Sequence, residues 1–229
     1  MQTLMPDVNF ELARHNMIVQ QVRPWGVLDD RVLDAMQHIP REDFVPAQYR
    51  NLAFTDLELP IGQGEVMMAP KVVGRMLQAL DVQPRDRVLE VGTGTGYVTA
   101  LLARLAEEGH VYSVDIHSEF TAAARQRLSS HGIRNVSLET ANAVNGWDAH
   151  EPYDAIAITG SLPVLTDSFQ RFRDSLAMGG RLFVVAGEVP TMEAILIVRT
   201  GEAEWRSEGL FETVLPALQH AVRPRRFVF

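Results

Sequence analysis

Apolar positions recur with two different periods along the 229-residue chain, and the change falls near Pro70. In residues 8 to about 60, Ala13, Met17, Ile18 and Val22 stand at helical spacing until Pro24 and Gly26 interrupt them. A second helix is expected after Leu28, with Asp29 or Asp30 as N-cap, Val32, Leu33 and Met36 turned inward, and Pro40 at its end. No strand alternation is visible here, so this stretch predicts a helical cap.

Beyond Pro70, helical and β-rich runs alternate. Val72, Val73, Met76, Leu77 and Leu80 form one helical stripe. Strands are expected at 87–91, 110–115, 135–139, 153–159 and 181–185, with helices at 97–105, 120–128 and 165–176. Runs at 194–198 and 209–215 read as an antiparallel pair at one edge. Strands separated by helices imply right-handed βαβ units, hence an α/β, doubly wound, mostly parallel Rossmann-like sheet. The chain divides into a cap with a loop at 1–69 and a sheet domain at 70–229, in one compact unit. In such sheets a ligand sits at the carboxyl ends of the strands, where the strand order reverses.

Composition narrows the chemistry. At 46% hydrophobic and 22% charged, the chain is globular, and the lack of cysteine excludes disulfides and thiolate catalysis. A net charge of -8 argues against a nucleic-acid partner, because phosphate contacts need a basic surface. The basic cluster Arg223-Pro224-Arg225-Arg226 reads as a solvated turn. No apolar run approaches the ~18 residues of a membrane span. Met1 to Asp7 shows no charged start leading into an apolar stretch, so a cytoplasmic protein without a membrane partner is expected. The seven histidines form no HxH or HxxxH pair, and no metal is expected.

The chemistry centres on Glu90-Val91-Gly92-Thr93-Gly94-Thr95-Gly96, which follows the first strand of the alternating region. Gly92, Gly94 and Gly96 carry no Cβ, so backbone N–H groups can approach a ligand closely. Dinucleotide folds prefer G-x-G-x-x-G, which seats a pyrophosphate. The spacing here differs, and the Glu90 carboxylate would repel a diphosphate but suit a cationic amino-acid moiety such as that of S-adenosylmethionine. Asp115 closes the second strand, about 20 residues on, where such folds place the acid that binds ribose hydroxyls; it also reads as a helix cap. Asn142 offers an amide to an adenine edge and reads equally as a turn residue. Met67 and Met68 fit a ligand groove or plain core filling.

These motifs, with Gln20-Gln21-Val22-Arg23, Pro40-Arg41-Glu42-Asp43-Phe44-Val45-Pro46, Leu59-Pro60-Ile61-Gly62-Gln63-Gly64 and Gly146-Trp147, occur in an order that resembles the protein-L-isoaspartate O-methyltransferase family from about residue 17 to 190. The resemblance implies a class I methyltransferase that uses S-adenosyl-L-methionine and releases S-adenosyl-L-homocysteine. It implies that Glu90, Gly92, Thr93, Gly94 and Gly96 hold the methionine end, Asp115 and Ile116 the ribose side, and Asn142 and Ala143 the adenine. It also implies a protein or peptide substrate, methylated on the free carboxylate of a damaged aspartyl residue. Two departures stand out. Met68 occupies the place of the serine in the family's substrate loop, and Ala141-Asn142-Ala143 replaces G-D-G. No catalytic residue is therefore assigned, although Thr159 and Ser161 offer substitute hydroxyls. A different acceptor, such as a small molecule, and a non-catalytic cofactor-binding module remain as alternatives. Neither the oligomeric state nor the role of the last ~40 residues is legible at this level.

Overall fold

The computed structural model describes residues 9–224, apart from the side chains of residues 167 and 168. Arg225 and Arg226 of the basic cluster, and residues 1–8 where the leader was sought, lie outside the described residues. Helix α1 (Phe10–Met17) starts where the Asn9 side chain accepts from the Leu12 N–H. Helix α2 (Asp30–His38) is capped by Asp29, and a short helix α3 (Arg41–Phe44) follows Pro40. This cap docks on helix α4 (Pro70–Leu80) at Gly74, where a Cβ would meet Val22 at 2.9 Å. Only glycine permits that approach.

The stretch between cap and α4 corrects the sequence reading. Leu59–Gly62 (β1) and Glu65–Met67 (β2) form a two-stranded antiparallel hairpin where a loop was expected. Gln63 and Gly64 make its turn, with positive φ at Gly62, Gln63 and Gly64.

The main sheet has seven strands in the order β5-β4-β3-β6-β7-β8-β9. They are β3 (Arg87–Val91), β4 (His110–Asp115), β5 (Val136–Thr140), β6 (Tyr153–Leu162), β7 (Leu176–Glu188), β8 (Thr191–Gly201) and β9 (Glu204–Glu212). The first five of these in chain order pair in parallel, and β7–β8 and β8–β9 pair antiparallel. Helices α5 (Tyr97–Leu105), α6 (Ser118–Ser130) and α7 (Asp167–Asp174) complete the crossovers. Strand order reverses between β3 and β6, so the crevice lies at the carboxyl ends of that pair.

Several strands and helices run longer or shorter than expected, and two of these differences reshape the C-terminal half. The last strand runs 204–212 and not 209–215, because Glu204, Arg206 and Glu208 pair as an exposed, charged edge that has no apolar signature. Strand β7 begins at Leu176, which shortens the preceding helix to Asp167–Asp174. One apolar cluster runs from Met17 through Val73, Leu101 and Phe183 to Leu215, joining the cap to one face of the sheet.

Candidate active site

Two adjoining cavities open at the switch point. The larger is a cleft of about 610 Å³ along Gly92, Asp115, Ile116, Asn142 and Thr159. The smaller, about 340 Å³, runs beneath the hairpin between Met68, Glu90, Thr95 and Tyr97. Ile61, Val66, Gly92, Gly94 and Thr159 line both, so the two meet across the glycine loop.

The loop is held from three sides. Asp115 at the end of β4 accepts from the Gly94 N–H at 2.9 Å and from the His117 N–H at 2.9 Å. Each carboxylate oxygen retains a lone pair for a ribose hydroxyl. From β6, the Thr159 hydroxyl faces the carbonyls of Val91 (3.0 Å) and Gly92 (2.7 Å). The β6–β7 register shifts between Ala157 and Ser161, an irregularity of the kind that re-aims a side chain out of the ladder. Gly96, with φ +85°, lets the loop sit on α6, where a Cβ would come within 3.0 Å of Ala124. It lines neither cavity, so its place is in packing.

Glu90 corrects the electrostatic reading. Its side chain is fully buried, and one oxygen accepts from Thr99 (2.5 Å) and Ser113 (2.6 Å). Ser113 in turn accepts from Thr93 at 2.6 Å. The other oxygen, Oε1, is buried without a hydrogen-bond partner. Burial pushes the carboxyl up to about 8, so without a ligand it is protonated at neutral pH and carries no charge to repel a diphosphate. The pocket instead presents a buried carboxyl that ionises when a cation arrives. An ammonium group placed against Oε1 satisfies both the vacant lone pair and the charge, which fits the methionine end of S-adenosylmethionine.

The predicted adenosine residues gather in the larger cleft. Ile116, Asn142 and Ala143 line it beside Val144 and Phe120, which supply flat apolar walls. Asn142 Oδ1 also accepts from the Val144 N–H at 3.1 Å, so it serves its turn as well. Met67 and Met68 are both buried, and both line the smaller cavity. Arg41, fully buried, donates from Nη2 to the Met68 carbonyl at 2.9 Å and from Nε to the Ala53 carbonyl at 2.8 Å. Of the two suggested hydroxyls, Thr159 lies where the cavities meet, while Ser161 lines neither. The Ser161 hydroxyl donates to the Leu215 carbonyl at 2.8 Å, and its backbone bonds Pro216 and Leu218. It is a clamp and has no proton to offer a substrate.

That clamp brings in residues the sequence did not flag. Leu218 and Gln219 cover the larger cleft, and the Gln219 amide reaches Glu65 on the hairpin (3.1 Å) and His117 (2.9 Å). The segment carries no motif; backbone contacts to Ser161 and the Gln219 amide place it.

A doubly wound sheet with a glycine loop, a ribose-type aspartate and a buried, cation-seeking carboxyl at Glu90 defines a class I, S-adenosylmethionine-dependent methyltransferase. Residues 13–214 match the family model described as Protein-L-isoaspartate(D-aspartate) O-methyltransferase (PCMT). The sequence is 40% identical over 203 residues to a protein-L-isoaspartate O-methyltransferase 2 of Pelobacter propionicus, covering 88% of each chain. The chain belongs to the protein-L-isoaspartate(D-aspartate) O-methyltransferase family. Its fold matches a solved protein-L-isoaspartate O-methyltransferase with a TM-score of 0.79 at 23% identity, covering 92% of this chain and 67% of that one. A Plasmodium falciparum protein assigned to the same family, solved with S-adenosyl-L-homocysteine, matches with a TM-score of 0.77 at 19% identity, covering 93% and 99%. Among the described residues, no helix is long and apolar enough to cross a membrane.

Proposed function

We propose that this enzyme methylates the free carboxylate of isoaspartyl residues in damaged proteins or peptides, the step that begins their repair. The family match over residues 13–214 carries this reading, and the cavity beside the glycine loop supports it. When bound, the cofactor supplies a sulfonium methyl group. The residues named above then have distinct tasks. Glu90 holds the ammonium, Asp115 the ribose, and Ile116, Asn142 and Ala143 the adenine, while Thr93 and Thr159 fix the loop around them. The hairpin walls the acceptor side and excludes water, so rate comes from holding acceptor oxygen and methyl in line. Cap and sheet work as one unit, which their common core supports.

One observation favours a second reading. Met68, Val66, Met67, Val73 and Val98 make the smaller cavity apolar, which suits a less polar acceptor than a carboxylate. Incubation with labelled cofactor and an isoaspartyl peptide, beside its aspartyl twin, decides between them. Label on the isoaspartyl peptide alone, released by mild base as an ester should be, supports the first reading. A base-stable product on another acceptor supports the second.

A further inference from the structure

We infer that the hydroxyl of Thr95 is the donor that receives the acceptor carboxylate in the smaller cavity, where Met68 leaves the substrate loop without one. The inference rests on the function proposed above. A carboxylate that enters a buried cavity gives up hydrogen bonds to water and needs a protein donor in return. Met68 offers a thioether and no proton.

The hydroxyls around the cavity can be separated by what already holds them. Thr93 donates to Ser113, and Ser113 and Thr99 both donate to Glu90. Thr159 has one proton and two backbone carbonyls facing it, so turning it toward a substrate would strip the loop of its tie to β6. The Tyr97 hydroxyl is buried without a hydrogen-bond partner, deep in the wall beside the Arg41 guanidinium, which sits 4.9 Å over the Tyr97 ring. Ser161 is clamped to Leu215 outside both cavities.

Thr95 shares the lack of a partner only with Tyr97, and it is the less deeply buried of the two. Thr95 lines the cavity with Met68 and Glu90 and is 7% exposed. Among the described residues its hydroxyl has no hydrogen-bond partner. Its backbone is nevertheless fixed, because its carbonyl accepts from Arg127 Nη1 at 3.1 Å and the preceding Gly94 is tied to Asp115. A held backbone that carries an unpartnered hydroxyl in the wall of a cavity offers a donor site to an acceptor. The glycine loop would then serve both sides of the reaction, with backbone N–H groups toward the cofactor and the Thr95 side chain toward the acceptor.

The test uses Thr95→Val, which keeps the shape and removes the donor, Thr95→Ser, which keeps the donor, and Thr95→Ala as a smaller second deletion. Calorimetry gives the affinity of each for S-adenosylhomocysteine, then the affinity of an isoaspartyl peptide for that complex. Initial rates with S-adenosylmethionine add kcat and KM. Thr95→Val and Thr95→Ala should keep S-adenosylhomocysteine affinity within about twofold and lose peptide affinity by about 10- to 100-fold, with Thr95→Ser near the wild type. Unchanged peptide affinity in both deletions overturns the inference alone. A parallel fall in S-adenosylhomocysteine affinity also overturns it, since the hydroxyl would then belong to the cofactor. A wild-type protein that binds S-adenosylhomocysteine but neither binds nor methylates the peptide overturns the proposed acceptor and this inference together.

Discussion

The hydroxyl of Thr159 lies 2.7 Å from the carbonyl of Gly92, and a Cβ on Gly92 would fall 2.3 Å from that same hydroxyl oxygen. The contact crosses the switch point between β3 and β6, so one hydrogen bond closes the sheet beneath the cofactor loop. Glycine is required there twice, for its φ of +102° and for the approach of Thr159.

Gly92→Ala should therefore cost about 2–4 kcal/mol of stability, from a strained left-handed residue plus overpacking. Calorimetry should show S-adenosylmethionine affinity falling with it. Adding Thr159→Gly relieves the clash but not the backbone strain, so recovery should be partial. Normal binding by Gly92→Ala would contradict this geometry.

Glu90 makes both stability and binding depend on pH. Its folded pKa is raised from the ordinary 4.5 to about 8. A raised carboxyl pKa means that the folded protein holds a proton the unfolded chain has released. Stability is then greatest below about pH 4.5 and falls by up to about 1.4 kcal/mol per unit as pH rises toward 8. Denaturant melts of the unliganded protein should show this slope, and Glu90→Gln should remove it. Binding of the cationic cofactor expels the proton, so affinity should rise between about pH 6 and 8, with most of one proton released at pH 7. Calorimetry in two buffers of different ionisation enthalpy measures that release.

Asp115 acts through backbone as well as ligand. Asp115→Asn keeps the shape but presents an NH₂ group to either the Gly94 or the His117 N–H, where an acceptor is needed. The loss of one charge-assisted bond should lower cofactor affinity by about 1.5–3 kcal/mol. Equilibrium binding of S-adenosylhomocysteine reads it directly.

Ser161→Ala separates the clamp from the chemistry. Loss of the bond to Leu215 should lower stability by about 1 kcal/mol, with kcat close to the wild type. A collapse of kcat at saturating substrates would return Ser161 to the list of candidate reacting groups.

Much of this architecture is legible in the sequence, for definite reasons. The run Arg87 to Val91 is β-rich and ends in glycines, so strand, loop and ligand position follow together. Asp115 is found because it ends the next strand. The hairpin at Leu59–Met67 is hidden because Pro60, Gly62 and Gly64 mimic a loop, and its ladder has only three pairs. The 204–212 edge strand is hidden because its outward residues are charged. Leu218 and Gln219 are invisible because contacts far apart in sequence bring them to the cleft: main-chain bonds of Pro216 and Leu218 to Ser161, and the Gln219 amide on Glu65 and His117. Thr159, Ser161 and Thr95 all carry hydroxyls, and only their surroundings in the fold set them apart.

The central claim is that the chain joins an S-adenosylmethionine site to an acceptor site for isoaspartyl carboxylates. Transfer of a labelled methyl group to an isoaspartyl peptide, run beside the aspartyl peptide of the same sequence, tests it most directly. Base-labile label on the isoaspartyl peptide alone is the expected result, and cofactor binding with no label on either peptide would contradict it.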